Sequence, residues 1–210
     1  VPAFEEAFAS VVGARHAVAC SSGTAALHLA CLAADLGSGD LVVVPAITFV
    51  ATANAARYVG AEVLFADVDP ETGLMEPRHV EAALASKGNT EIPRAVIPMH
   101  LNGQCTDLEG ITEISRRHGL LVIDDACHAL GGRHDDGYPV GSGRHAAMSA
   151  FSFHPVKTIA MGEGGAVTTN DPVLARRMYR LRSHGIQNDP DGFANTELAF
   201  DSSHSPNPWY

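Results

Sequence analysis

Lysine is almost missing from this sequence: of 14 basic residues only Lys87 and Lys157 are lysines. Positive charge is scarce altogether. With 24 acidic residues the net charge is −10, which argues against a nucleic-acid backbone or an anionic membrane surface as the main partner. Cysteine is sparse too. Cys20, Cys31, Cys105 and Cys127 form no C-x-x-C pair and no dense framework, so they read as reduced, mostly buried thiols of a cytoplasmic protein. No apolar run approaches the roughly 20 residues that span a bilayer, and no charged-then-apolar leader opens the chain. There is no G-x-S-x-G elbow, Walker A sequence or G-x-G-x-x-G fingerprint, which removes the commonest hydrolase, NTPase and dinucleotide chemistries. The 11 histidines invite a metal hypothesis. None forms H-x-x-x-H on a helix, and His100 with Cys105 has no second pair at ligand spacing, so no metal is expected.

What is present is enough apolar sequence, 46% of 210 residues, for one sizeable core. Short β-branched runs alternate with helical segments, the sequence form of βαβ units and a mostly parallel sheet. Strands are expected at Ala17–Cys20, Leu41–Val44, Glu62–Ala66, Ala95–Met99, Leu120–Asp124, Ala147–Phe151 and Gly165–Thr168. An amphipathic helix opens the chain, and others are expected at Thr24–Leu36, Ala51–Tyr58, Pro77–Ala85, Asp107–His118 and Pro172–Arg182, the last capped by Asp171. From Ser183 the composition turns to Asn, Asp, Pro, Ser and Gly, which predicts loop. The chain starts without methionine and stops on Trp209-Tyr210, so it is expected to be a fragment of a longer polypeptide.

Four segments carry potential chemistry. Phe151-Ser-Phe-His-Pro-Val-Lys157, followed by a glycine-rich loop, sets Lys157 between an aromatic run and flexible backbone. A partly buried amine there can lose its proton and attack a carbonyl, as a Schiff-base lysine must. Ser21-Ser-Gly-Thr-Ala-Ala26 lies at a strand-to-helix junction, where free amides and the helix dipole favour a phosphate; taken alone, the motif is better read as a plain N-cap by Ser or Thr. Val122-Ile-Asp-Asp-Ala-Cys-His-Ala129 ends a strand with two carboxylates, at the sheet edge where open α/β sheets bind ligands. One could hold a protonated ring nitrogen, or the pair could cap the next helix. Pro45-Ala-Ile-Thr-Phe-Val-Ala-Thr52 places Phe49 at another strand end, as a stacking platform or an ordinary core ring. Ser152 offers a hydroxyl to the same phosphate, or is a surface serine.

Taken in chain order, Ser22-Gly-Thr-Ala-Ala-Leu27, Pro45-Ala-Ile-Thr-Phe-Val-Ala-Thr-Ala-Asn54, Ile123-Asp-Asp-Ala-Cys-His-Ala129, Phe151-Ser-Phe-His-Pro-Val-Lys157 and Gly162-Glu-Gly-Gly-Ala-Val-Thr-Thr-Asn170 resemble the DegT/DnrJ/EryC1/StrS family of sugar aminotransferases over nearly the whole chain. The resemblance implies the large domain of the pyridoxal-phosphate-dependent transferase fold type I (aspartate-aminotransferase-like), an α/β fold with a mostly parallel central sheet flanked by helices. It implies a pyridoxal 5′-phosphate cofactor, a nucleotide-linked keto sugar as acceptor, L-glutamate as donor, and a homodimer. Residue by residue, it makes Lys157 the Schiff-base lysine and proton shuttle, and Asp125, rather than Asp124, the partner of the ring nitrogen. His128 would lie near the ring, Phe49 would stack on it, and Thr24, the backbone of Ala25 and Ser152 would hold the phosphate. Residues 1–182 would form the cofactor-binding domain. Residues 183–210 would lead to a small C-terminal domain that this chain lacks, so the isolated 210 residues are expected to bind cofactor weakly and turn over poorly.

Within the family, His154-Pro-Val-Lys157, Arg182-Ser-His-Gly-Ile186 and Pro208-Trp-Tyr210 look most like the pseudaminic-acid branch. That branch forms UDP-4-amino-4,6-dideoxy-N-acetyl-β-L-altrosamine from a UDP-4-keto-6-deoxy-N-acetylhexosamine. Two other functions compete. A sugar dehydratase of the same fold would carry histidine where this chain has Lys157. A non-catalytic binding or regulatory module would need a DNA-binding helix pair or a basic face, and neither is visible here.

Overall fold

The alternation of β-branched runs and helices assembles into one sheet covered on both faces. A computed structural model describes residues 1–87, 93–186, 193 and 195–207. Its strands are β1 (His16–Cys20), β2 (Leu41–Pro45), β3 (Glu62–Ala66), β4 (Ala95–Val96), β5 (Leu121–Asp125), β6 (Met148–Ser152) and β7 (Gly165–Thr169). The helices are α1 (Pro2–Val12), α2 (Gly23–Ala33), α3 (Val50–Tyr58), α4 (Pro77–Lys87), α5 (Leu108–His118), α6 (Pro172–Leu181) and α7 (Thr196–Ala199). The strand order is β1-β7-β6-β5-β4-β2-β3. β7 runs antiparallel to both its neighbours, and every other pair is parallel.

Because side chains alternate along a strand, consecutive residues feed different cores. Val42, Val44, Ile97, Ile123, Ala150 and Val167 join α2, α3 and α6 on one face. Val43, Val96 and Val122 pack with α4 and α5 on the other, and further along Ala17, Phe151 and Ala166 pack there against α1. Near-continuous apolar runs are what burial of both strand faces requires.

Several boundaries differ from the sequence reading for identifiable reasons. α2 stops at Ala33, not Leu36: Asp35 takes a left-handed φ of 59°, while Asp35 N–H bonds Leu32 O and Leu36 N–H bonds Cys31 O. That is a Schellman ending three residues before the glycines expected to cause it. β4 regularly pairs only Ala95 and Val96 because Pro98 has no amide to give the ladder; its carbonyl still accepts from Asp125 N–H at 2.9 Å. β5 starts one residue late, since Leu120 N–H closes α5 on Ser115 O. β6 is likewise shifted by one, to Met148–Ser152. Asp107 caps α5 from outside the helix by accepting from Gly110 N–H, and Asp171 caps α6 as expected. The tail predicted to be loop holds the short α7, capped by the Asn195 side chain. Pro208-Trp-Tyr210 lies outside the described residues.

Candidate active site

The carboxyl ends of β2, β5 and β6 meet the N-terminus of α2 around a cleft of about 450 Å³. Thr24, Phe49, Asp125, His128, Ser152 and Lys157 all line it. Ala25 does not: its amide donates to Ser22 Oγ at 3.1 Å, so the N-cap interpretation of this segment holds for Ser22. Phe49 is 60% exposed at the rim, which removes the alternative of a core ring. Sequence reading missed Gly23, Met99, Cys127, His154 and Glu163 as lining residues. It also missed Thr52 behind the cleft, which no local sequence pattern marks.

Two glycines bring the elements this close. A Cβ on Gly23 would meet Ser152 Cβ at 2.7 Å and Cys127 Sγ at 3.0 Å. A Cβ on Gly165 would meet Ser22 O at 2.2 Å and Gly23 N at 2.9 Å, so the start of β7 abuts the first turn of α2. That contact aims the α2 amides into the cleft beside Ser152.

Asp125 is 2% exposed and held by donors on both oxygens: Thr52 Oγ1 reaches Oδ2 at 2.7 Å, and Cys127 N–H reaches Oδ1 at 3.2 Å. Asp124 points to the other face of the sheet. It lies 3.1 Å from His100 Nε2, with both side chains completely buried. His128 accepts from Asn102 N–H through Nδ1 at 3.3 Å. Burial, and the nearby Lys157 cation, push its pKa below the ordinary histidine value. The neutral ring therefore carries its proton on Nε2. Burial and the neighbouring Asp125 push the Cys127 thiol well above its usual range, which leaves it protonated. The half-buried Lys157 follows β6 in a turn closed by its N–H on His154 O at 2.9 Å. Such a site can pair a cation with a buried carboxylate and hold an anion at a helix end. Among the described residues no group of three or more His, Cys, Asp and Glu is arranged to hold a metal.

The sequence profile of the DegT/DnrJ/EryC1/StrS aminotransferase family matches residues 1–202. The chain belongs to that family. As a DegT/DnrJ/EryC1/StrS chain it is 43% identical over 188 residues to the GDP-perosamine synthase of Caulobacter vibrioides, covering 90% of this chain and 48% of that protein. It is 42% identical to a pleiotropic regulatory protein of Geobacillus stearothermophilus, over 88% of this chain and 48% of the relative. The chain thus spans about half the length of the curated relatives it matches.

Solved structures agree on the fold. An aminotransferase from Psychrobacter cryohalolentis superposes with a TM-score of 0.82 at 34% identity, over 92% of this chain and 47% of that one. NtdA from Bacillus subtilis with bound cofactor PMP gives 0.79 at 30% identity, over 90% and 42%. PseC from Helicobacter pylori, an aminotransferase of pseudaminic-acid biosynthesis, gives 0.78 at 32% identity, over 90% and 49%.

Proposed function

We propose that this chain is the cofactor-binding part of a pyridoxal-phosphate-dependent aminotransferase that aminates a keto group on a nucleotide-linked sugar, with L-glutamate as donor. The observation that carries the reading is the meeting of Lys157, the doubly hydrogen-bonded Asp125 and the first turn of α2 with Ser152 in one cleft. The residues fit that cofactor. A phosphate suits a helix N-terminus, and the hydrogen-only side of Gly23 lets the first turn of α2 pack directly on Ser152. A buried carboxylate suits a protonated ring nitrogen, and the exposed face of Phe49 suits a flat ring.

On this reading Lys157 tethers the cofactor and moves protons through Nζ. Asp125 holds the ring nitrogen, Phe49 stacks, and His128 presents Nε2–H beside the ring. Thr24 and Ser152 bind the phosphate, and Ala25 contributes by fixing the first turn through its bond to Ser22. Bound pyridoxal phosphate supplies an electron sink for the charge left when a substrate C–H proton is removed.

The acceptor we favour is a UDP-4-keto-6-deoxy-N-acetylhexosamine. Its support is the likeness of His154–Lys157 and Arg182–Ile186 to the pseudaminic-acid branch, together with the similarity to PseC. The similarity to GDP-perosamine synthase makes a GDP-linked keto sugar the substrate to assay beside it. A homodimer is supported by the exposed apolar side chains of Phe49 and Val156 at the cleft and of Ile47, Val50 and Ile159 near them in sequence, each at least half exposed. Residues 1–182 would be the cofactor domain and 183–210 the lead into a small one. The four free thiols favour the cytoplasm. No helix among the described residues is long and apolar enough to cross a membrane.

The relative named as a pleiotropic regulatory protein favours a second reading, a ligand-binding module without turnover. One experiment separates them: the visible spectrum of the intact protein with pyridoxal phosphate, before and after L-glutamate, beside Lys157→Ala. A lysine-dependent band that glutamate converts supports transamination. A band indifferent to glutamate points to the module, and no Lys157-dependent band sinks the assignment.

A further inference from the structure

Two hydroxyls stand in a row behind the carboxylate of Asp125. Thr52, on the first turn of α3, is completely buried and donates to Asp125 Oδ2 at 2.7 Å. Thr48 Oγ1 lies 2.6 Å from Thr52 Oγ1, either of which could donate, and is also placed to donate to Met99 Sδ at 2.9 Å. Neither threonine lines the cleft, so neither has a partner there to explain the arrangement.

Each hydroxyl has one hydrogen to give, and this fixes the direction of the row. Facing an ionised Asp125, which only accepts, Thr52 commits its hydrogen to Oδ2. Thr48 then donates to Thr52, and every hydrogen ends on oxygen. If Oδ2 carried a proton and donated it, the row would reverse: Asp125 to Thr52, Thr52 to Thr48, and Thr48 to Met99 Sδ. A thioether is a weak acceptor, so the reversed row is the poorer one. Cys127 N–H, at 3.2 Å from Oδ1, donates in both states and does not choose between them.

We propose that Thr52, aligned by Thr48, is a positioning residue that holds Asp125 as an oriented carboxylate, with lone pairs left to receive a protonated ring nitrogen. The proposal rests on the role given to Asp125 above. Thr52 touches no ligand in this scheme and acts through Asp125. Its hydroxyl, not its volume, is the working part. Valine keeps the shape and loses the donor; serine loses a methyl and keeps it.

The test is a pyridoxal phosphate titration of the intact apoprotein, followed by fluorescence, for wild type, Thr52→Val, Thr52→Ser and Thr48→Val, with thermal melts of each apoprotein. A hydrogen bond to a charged acceptor is worth on the order of ten- to a hundredfold in an equilibrium constant, and Thr52→Val should lose affinity in that range. Thr52→Ser should stay within about threefold of wild type, and Thr48→Val should fall between the two. If Thr52→Val fails to fold, Thr48→Val, which leaves Thr52 in place, carries the test by the same criterion. Wild-type affinity in Thr52→Val, or equal loss in Thr52→Ser and Thr52→Val with unchanged melts, overturns the proposal while leaving the cofactor reading intact. A wild type that takes up no pyridoxal phosphate overturns both.

Discussion

Asp124 and Asp125 are adjacent in sequence and separated by the sheet: Asp125 accepts from Thr52 on the α3 side, whereas Asp124 lies against His100 on the opposite side. The strand pleat does this, since neighbours on β5 project to opposite faces. Only Asp125 reaches the cleft. The same pleat sends Ile123 to one core and Val122 to the other.

The two carboxylates should therefore fail differently. If the proposed function holds, Asp125→Asn in the intact protein removes the charge facing the cleft and should lower transamination by at least about a hundredfold, the scale of losing a charged partner of the reacting system, with a normal melt. Asp124→Asn should lower folding stability by about 1–3 kcal/mol, the range for disturbing a buried polar pair, while pyridoxal phosphate binding stays near wild type. Chemical denaturation and cofactor titration of both variants check this. The reverse pattern would return the cofactor role to Asp124.

Gly165 is the tightest joint beside the cleft, because all three of the nearest atoms that its added Cβ would strike belong to backbone. No side chain can swing aside, so β7 and α2 must part. Gly165→Ala should cost about 1–3 kcal/mol, as overpacking typically does, and should weaken phosphate-dependent cofactor binding as well. A melt and a titration unchanged from wild type would mean that the α2 terminus adapts freely.

The thiols should be inert in the folded protein. Burial pushes Cys31 up to about 12 and Cys20 up to about 11, so neither offers much thiolate near neutrality. Alkylation by iodoacetamide at pH 8 should be at least about tenfold slower on the native protein than in denaturant, with all four thiols reacting once it is unfolded. Fast native labelling of Cys31 by mass spectrometry would show that α2 opens readily.

Much of this was legible in the sequence because it depends on local rules. Alternating runs announced the sheet, Asp171 announced its helix, and the strand-end positions of Phe49, Asp125 and Ser152 announced the cleft edge. What escaped depends on contacts between distant residues. Nothing near Thr52 in sequence shows that Asp125, 73 residues on, will receive its hydroxyl. The left-handed turn at Asp35 defeats the expectation that glycine ends α2, and an amide missing at Pro98 shortens β4 in a way that apolar patterning does not register. The choice of Asp125 over Asp124 came from resemblance; what the pleat adds is that only Asp125 lines the cleft.

A row of imidazoles makes the last prediction one of pH. His134 sits between His100, at 5.5 Å between ring centroids, and His145, at 5.2 Å. Burial, with those two neighbours, pushes its pKa below the ordinary histidine value of 6.5, against the pull of Asp124 and Asp136. His128 is lowered as well, by burial and Lys157. For both groups the unfolded chain takes up protons that the folded chain refuses once the pH drops below about 6.5. Their contribution to stability then falls as pH falls from 6.5 toward the folded pKa values and is flat above, whereas His100, whose pKa is raised against its burial by Asp124 and Asp125, contributes stability that is lost as pH rises above 6.5. Because His134 is only half-buried, its share should be below the roughly 1.4 kcal/mol per pH unit of a full proton difference. Denaturation midpoints from pH 6.5 to 5 should decline in wild type and decline less in His134→Gln. A difference of opposite sign between the two proteins, or a slope that His134→Gln leaves unchanged, would show that His134 takes up its proton in the folded state.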